Sequence, residues 1–87
     1  GETILEAAIR ETREETGLII NNLCFLYEEA DNNYNVTTFY TYDYTNEIHT
    51  TENHIVKWLP LIELTNSKKW PKYNYTIYKL FMEIINL

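Results

Sequence analysis

Apolar and polar positions recur with different periods along the chain, and these periods predict two helices and three strands. In the first eighteen residues, apolar or small side chains recur at intervals of three or four, which places them on one face of a helix. These residues are Leu5, Ala8, Ile9, Thr12 and Thr16. Thr3 and Glu6 have the spacing of a capping box, and Gly17 is suited to a helix end. The pattern predicts a helix over residues 4–16.

The next segments favour strands, over residues 23–29 and 34–44. In the second segment, one set of Val, Thr and Tyr side chains occupies every other position, and a different set occupies the positions between. This period of two residues is typical of a strand with two different faces. Asp31-Asn32-Asn33 is a turn sequence between the two strands, so we expect an antiparallel hairpin. Asn21-Asn22 predicts a further turn before the first strand.

The remainder of the chain is less regular. Residues 45–53 are polar and have no period, which indicates a surface loop. A short strand is predicted over residues 55–59, and Pro60 should end it and open a single turn. A loop follows over residues 65–72. Ile77, Phe81, Ile84 and Ile85 then recur at helical spacing and predict an amphipathic helix over residues 73–86.

Composition limits the function classes. The 87 residues allow one small domain, and 45% hydrophobic content with eight Tyr residues argues against disorder. A net charge of −6 argues against nucleic-acid binding, which favours clustered Lys and Arg. No apolar run has the length of a membrane helix, so we expect no membrane association and, by default, a cytoplasmic location. The single cysteine, Cys24, lies in an apolar run and is expected to be buried.

The predicted first helix carries a cluster of carboxylates away from its apolar face. Glu11, Glu14 and Glu15 are three or four residues apart or adjacent, so their like charges repel. Arg10 lies one turn before Glu14 and is placed to pair with it. A hard divalent cation would compensate more charge, since Mg²⁺ prefers oxygen ligands. Spacing alone leaves open a solvated acidic helix face.

The motif formed by these residues is more specific than their spacing. It consists of Glu2, then seven residues, and then Arg10-Glu11-Thr12-Arg13-Glu14-Glu15-Thr16-Gly17-Leu18. It resembles the Nudix box. That pattern is G, five residues, E, seven residues and REUxEExGU, with U a bulky aliphatic. Every fixed position from Glu2 onward matches except Thr12, which stands where an aliphatic residue is usual.

A second segment extends the resemblance to about residue 64. Nudix hydrolases often have a Trp, an aliphatic residue, a Pro and a Glu-Leu pair here, and this chain has Trp58-Leu59-Pro60 and Glu63-Leu64. They also often have an acidic loop residue six before the Trp, and Glu52 stands at that distance. The motif's opening glycine would precede Gly1. The resemblance therefore implies an α/β fold, in which residues 1–87 are the carboxy-terminal part of an α/β/α sandwich with a mixed sheet whose first strands are missing.

The resemblance also implies a chemistry. Nudix enzymes hydrolyse a pyrophosphate bond in a nucleoside diphosphate linked to another group, with a divalent metal, here Mg²⁺ or alternatively Mn²⁺. By correspondence, the metal ligands are Glu11, Glu14, Glu15 and Glu52. Arg10 would orient the cluster, and Glu52 or Glu11 would be the catalytic base. Glu2 would be a peripheral or water-mediated contributor to the metal site.

Three aromatic residues are candidates for substrate contact: Tyr34, Phe39 and Trp70. The nucleotide itself is not indicated by the sequence. By the resemblance, we expect the longer protein to be an active enzyme and residues 1–87 alone to be inactive. Two alternatives stay open. One is a Nudix-like binding or regulatory module without catalysis. The other is an inactive fragment that needs a second chain, through a homo-oligomer or strand-swapped association. His49 and His54 bracket Glu52, but loop histidines are more often simply exposed.

Overall fold

The computed structural model describes residues 1–50, 53 and 55–87. Its elements, in chain order, are α1 (Ile4–Thr16), β1 (Ile19–Ala30), β2 (Asn35–Thr45), a 3₁₀ helix (Leu61–Asn66) and α2 (Pro71–Ile85). The strands pair as a two-stranded antiparallel sheet. The combination of helices with this sheet confirms the α/β class.

Helix α1 begins and ends where its local chemistry requires. The Thr3 hydroxyl accepts a hydrogen bond from the Glu6 amide at 3.0 Å, and the Thr3 amide donates to the Glu6 carboxylate at 3.1 Å. This is a complete capping box, which satisfies two amides that a helix start leaves without partners. At the other end, Gly17 takes the left-handed conformation, with φ of 86°, and its amide donates to the Arg13 carbonyl. The helix therefore covers residues 4–16, as the sequence predicts.

The hairpin is longer than predicted at its first strand. β1 starts at Ile19, so the turn predicted at Asn21-Asn22 is wrong and both residues lie inside the strand. Leu18 and Ile20 are buried, and their burial favours an extended chain over a turn there. The polar groups of the two asparagines are used across the sheet. The side-chain amide of Asn21 donates a hydrogen bond to the Asp43 carboxylate at 3.2 Å, and the backbone carbonyl of Asn22 accepts one from the Thr41 hydroxyl.

The turn between the strands follows the prediction. The Asp31 carboxylate accepts hydrogen bonds from the amides of Asn33 and Tyr34, at 2.6 and 3.1 Å. The Asp31 amide donates to the Tyr34 carbonyl at 2.9 Å. An aspartate side chain that bonds to the backbone two residues later is a common way to close a turn. β2 accordingly begins at Asn35, one residue after the predicted start.

Residues 55–59 do not form the predicted strand. A strand needs a neighbour to complete its backbone hydrogen bonds, and within the described ranges the sheet consists of β1 and β2. The amide and carbonyl of Val56 bond instead to the Thr50 hydroxyl, at 3.3 and 3.1 Å. Ile55 and Trp58 are 85% and 63% exposed. The apolar residues that indicated a strand thus lie in an exposed, irregular segment.

Helix α2 starts earlier than its apolar period indicates. Pro71 is its first residue, a position where the missing proline amide costs no hydrogen bond. Trp70 precedes it in the left-handed conformation, with φ of 57°. α2 packs against the 3₁₀ helix. The predicted loop over residues 65–72 is therefore shorter, because the 3₁₀ helix and α2 both extend into it.

The chain divides into two compact units. The first contains Gly1–Cys24 and Tyr40–Trp58, and the second contains Phe25–Phe39 and Leu59–Leu87. Leu18 and Ile20 are the buried apolar residues of the first unit, and Tyr73 and Ile77 those of the second, among the residues described. Cys24, expected to be buried, is only partly so. Neither α1 nor α2 is long and apolar enough to cross a bilayer, and no other helix in the described part is.

Candidate functional site

Helix α1 presents its carboxylates on the surface of the first unit. Glu11, Glu14 and Glu15 are all exposed. The side chains of Glu11 and Glu14 are 58% and 55% exposed. A helix with carboxylates at these spacings would be destabilised by charge repulsion unless cations were close. The arrangement around Arg10 shows how part of this charge is compensated.

Arg10 pairs with three carboxylates at once. Its Nε and Nη2 donate to Glu2, with the shortest distance, 2.6 Å, between Nη2 and Oε1. Its Nη1 donates to Oε2 of Glu14 at 3.0 Å, and its Nη2 lies 3.6 Å from Oε1 of Glu11. The predicted pair with Glu14 is confirmed. The sequence does not predict the pair with Glu2, since Glu2 precedes the helix and no helical spacing relates the two residues.

These ion pairs change the ionisation of their members. Hydrogen bonds from Arg10 hold the pKa of Glu2 below its ordinary value. The Glu2 carboxylate, and after it the Glu14 carboxylate, raises the pKa of the Arg10 guanidinium. Because these groups face solvent, the pairs contribute little to the stability of the fold. Their effect is positional: the Arg10 guanidinium restrains the carboxylates of Glu2 and Glu14 by hydrogen bonds and lies near that of Glu11.

The donor set fits a hard divalent cation by its chemistry. Carboxylate oxygens are what Mg²⁺ and Mn²⁺ prefer, and two of the predicted ligands, Glu11 and Glu14, converge on one guanidinium. Glu15 has no ion pair in the described part of the chain. Within residues 1–50, 53 and 55–87, no three carboxylate, histidine or cysteine side chains are close enough to hold a metal ion as they stand. Glu52 lies outside the described residues, as does His54.

The carboxyl end of α1 is held by the segment that follows β2. The His49 amide donates to the Thr16 carbonyl at 2.8 Å. A Cβ atom on Gly17 would overlap the His49 ring and lie 3.2 Å from the Glu47 carbonyl oxygen. Gly17 is thus required twice, by its positive φ and by the close approach of this segment. The sequence does not predict this role of His49, because no local pattern relates it to Gly17, 32 positions earlier.

Thr12, the departure from the motif, is accommodated within the helix. Its hydroxyl donates to the Ala8 carbonyl at 2.7 Å, and the Thr16 hydroxyl donates to the Thr12 carbonyl at 2.6 Å. Thr12 is half-buried, and its hydroxyl is satisfied within the helix. The substitution therefore leaves the helix, and with it the spacing of the carboxylates, intact.

The second unit contains a groove of about 760 Å³. Its lining includes Glu29, Asp31, Tyr34, Trp70, Lys72 and Tyr73. Tyr34 and Trp70, two of the three predicted substrate contacts, stack with ring centroids 5.9 Å apart and an angle of 29° between the planes. Phe39 does not join them: it makes an edge contact with Phe25 and is not part of the groove lining.

Glu29 anchors the tyrosines beside this groove. Its carboxylate accepts hydrogen bonds from the hydroxyls of Tyr34, at 2.8 Å, and Tyr27, at 3.2 Å. These bonds raise the pKa of both phenols, because ionising either would place a second negative charge next to the carboxylate. Both tyrosines are therefore neutral donors at neutral pH, and Glu29 fixes the orientation of the Tyr34 ring.

Comparisons with known proteins agree with the motif. A family model described as NUDIX domain matches residues 1–81. A search among curated proteins found no match to the chain, and neither did a search among solved structures. The match includes α1 with its carboxylates, the hairpin and most of α2.

Proposed function

Because the chain belongs to the Nudix family, we propose that the protein is a divalent-metal-dependent pyrophosphohydrolase acting on a nucleoside diphosphate linked to another group. The observation that carries the proposal is the motif on α1, with Arg10 gathering the carboxylates of Glu2, Glu11 and Glu14. The family indicates a hydrolase. The pyrophosphate bond, the nucleotide and the metal are the parts that we propose.

The residues that would hold the cation are Glu11, Glu14, Glu15 and Glu52. Mg²⁺ is the proposed ion, with Mn²⁺ as an alternative that takes the same oxygen ligands. When bound, the cation would neutralise negative charge on the phosphate oxygens. This negative charge is the main electrostatic barrier to hydrolysis. Glu15 is free to turn toward it, since it has no ion pair to break among the described residues.

The protein residues have separate roles in this scheme. Water attacks a phosphorus atom, a new P–O bond forms, and the bond to the bridging oxygen breaks. A carboxylate accepts the proton of the attacking water, a contribution commonly worth about 10²–10⁴ in rate. Glu52 or Glu11 is the proposed base. Arg10 is a positioning residue, because it restrains Glu11 and Glu14 without itself reacting.

The test is release of phosphate, pyrophosphate or nucleoside monophosphate from a panel of nucleotides. The panel would contain nucleoside triphosphates, nucleotide sugars and dinucleoside polyphosphates, each with Mg²⁺, with Mn²⁺ and with EDTA. Glu15→Gln is the most informative variant, because it removes a proposed ligand and breaks no ion pair. We expect it to lower turnover about 100-fold or more, since even groups outside the metal's ligand set are commonly worth about 10–100-fold.

A matched control is Glu83→Gln, which removes one exposed carboxylate from the second unit. Its turnover should equal that of the unchanged protein, and thermal unfolding should show similar stability for both variants. Turnover that survives EDTA, or equal turnover in Glu15→Gln and Glu83→Gln, would contradict the assignment. A folded protein that releases nothing from any nucleotide would favour a binding module instead.

A further inference from the structure

The segment that follows β2 is attached to the carboxyl end of α1 through Asn46 and His49. The His49 amide donates to the Thr16 carbonyl at 2.8 Å, and the His49 ring occupies the space where a Cβ on Gly17 would lie. The side-chain amide of Asn46 donates to the Gly17 carbonyl at 3.5 Å. Asn46 has a φ of 72°, in the left-handed region that asparagine adopts more readily than most residues. These contacts hold the chain against the helix that carries the carboxylates.

Thr50 makes a further connection one residue after His49. Its hydroxyl donates to the Val56 carbonyl at 3.1 Å and accepts from the Val56 amide at 3.3 Å. A threonine hydroxyl can donate one hydrogen bond and accept others, and here both kinds of bond go to one residue. Val56 is half-buried, whereas Ile55 and Lys57 are exposed. Thr50 therefore joins the two ends of the segment 51–55 to each other.

This segment includes Glu52, one of the two proposed bases, which lies outside the described residues. Glu52 follows Thr50 by two positions in the sequence. Because consecutive Cα atoms are about 3.8 Å apart, an attachment at Thr50 limits how far Glu52 can move. A catalytic group that is misplaced by about 1 Å can lose about 100-fold in rate. The bonds between Thr50 and Val56 would therefore affect any proton transfer to Glu52.

We propose that Thr50 is a positioning residue for Glu52. Its two bonds to Val56 restrict the segment 51–55, and His49 attaches the start of that segment to the end of α1. Thr50 itself takes no part in the reaction. The inference rests on the proposed function, and it selects Glu52 over Glu11 as the base that accepts the proton of the attacking water.

The first test measures kcat and KM for ATP, ADP-glucose and diadenosine tetraphosphate with Mg²⁺. Thr50→Val keeps the β-branched shape and removes the hydroxyl, so it should lower kcat about tenfold or more. KM should change less than about twofold, because Thr50 is not proposed to contact the substrate. Thr50→Ser keeps the hydroxyl and should restore kcat.

Thr65→Val is the matched control for this test. Its hydroxyl also bonds to the backbone, at 2.7 Å from the Ile62 carbonyl, but it belongs to the second unit. Its kcat and KM should equal those of the unchanged protein. Circular dichroism of every variant checks folding, and the exposed position of Thr50 favours a folded Thr50→Val.

The second test asks whether Thr50 acts through Glu52. Residues that act as a unit have non-additive effects on catalysis. Thr50→Val should therefore lower kcat in the unchanged protein but cause no further fall in Glu52→Gln. If the hydroxyl served only the general stability of the fold, Thr50→Val would lower kcat by the same factor in both backgrounds, and that result would overturn the proposal.

The third test does not depend on activity. Hydrogen exchange of the Val56 amide, followed by nuclear magnetic resonance, reports the bond to Thr50 directly. Exchange should be faster in Thr50→Val and unchanged in Thr50→Ser and Thr65→Val. Equal exchange in Thr50→Val and the unchanged protein would refute the proposal whether or not the protein is an enzyme.

Failure of this inference is distinguishable from failure of the proposed function. Metal-dependent hydrolysis with the same kcat in Thr50→Val and the unchanged protein would refute the role of Thr50 and leave the hydrolase. A folded protein that hydrolyses no nucleotide would refute the hydrolase, and with it the catalytic role of Thr50, even if the Val56 amide depends on the hydroxyl.

Discussion

At the scale of single residues, Arg10 and Gly17 show how the motif is built. Arg10 is one side chain that pairs with three carboxylates, and it offsets part of the repulsion among them. The sequence predicts the partner one helical turn away, Glu14, because helical geometry fixes that distance. It could not predict the bidentate pair with Glu2, which depends on how the chain enters the helix.

Removing the Arg10 guanidinium should be visible as a pKa change at Glu2. The pKa of Glu2 is depressed in the folded protein by hydrogen bonds from Arg10. The Glu2–Arg10 pair therefore stabilises the folded protein at pH values above the ordinary carboxyl pKa of 4.5. This contribution is lost as the pH falls through the lower pKa that Glu2 has in the folded protein. In Arg10→Gln, the pKa of Glu2 should rise toward 4.5, as measured by carboxyl ¹³C shifts against pH. Arg13→Gln, on the same helix, should leave it depressed; the same rise in both variants would contradict the pairing.

Replacing Gly17 should cost stability for two separable reasons. Gly17→Ala places a side chain at a φ of 86°, which costs about 1–2 kcal/mol, and it also forces the new Cβ into the His49 ring. Urea unfolding of Gly17→Ala, His49→Ala and the double variant measures the two parts. The double variant should be more stable than the sum of the single effects predicts, by about 0.5–3 kcal/mol.

Gly1→Ala is the matched control, because a Cβ at Gly1 meets nothing within 4 Å. It should unfold like the unchanged protein. Strict additivity of Gly17→Ala and His49→Ala would show that the ring does not restrict this position, and only the backbone conformation would then explain the glycine.

At the scale of elements, the predictions succeeded where local chemistry decides the structure. The capping box and the glycine fixed α1, and the Asp31 turn fixed the hairpin. They failed where an element depends on its neighbours. Residues 55–59 have a strand-like pattern but no adjacent strand in the described part of the chain, and Asn21-Asn22 has a turn-like pattern inside a strand anchored by buried Leu18 and Ile20.

The capping box gives a direct test of what starts α1. Thr3→Ala removes the acceptor for the Glu6 amide and should lower the free energy of unfolding by about 1 kcal/mol. Thr3→Ser keeps the hydroxyl and should change it much less. Urea unfolding followed by circular dichroism measures both. Equal losses in the two variants would mean that the threonine methyl group, and not the cap, carries the effect.

At the scale of the whole molecule, the sequence identified the family and the chemistry of the donor set but not the arrangement of the site. The family model matches residues 1–81, which include the motif and the segment to about residue 64 that resembles the family. Two of the three predicted aromatic contacts, Tyr34 and Trp70, lie together in one groove, because the turn after β1 and the start of α2 belong to the same unit. Phe39, the third candidate, makes an edge contact with Phe25 outside the groove lining. Such packing depends on distant residues and cannot be predicted from a strand pattern.

The proposed hydrolysis depends on the binding of a divalent cation by the α1 carboxylates. The most direct measurement is Mn²⁺ binding, followed by electron paramagnetic resonance of the free ion, with Mg²⁺ as competitor. We expect saturable binding that Mg²⁺ displaces, that Glu15→Gln weakens about tenfold or more, and that Glu83→Gln leaves unchanged. Binding that is absent, or equally strong in Glu15→Gln and Glu83→Gln, would contradict a metal site on α1.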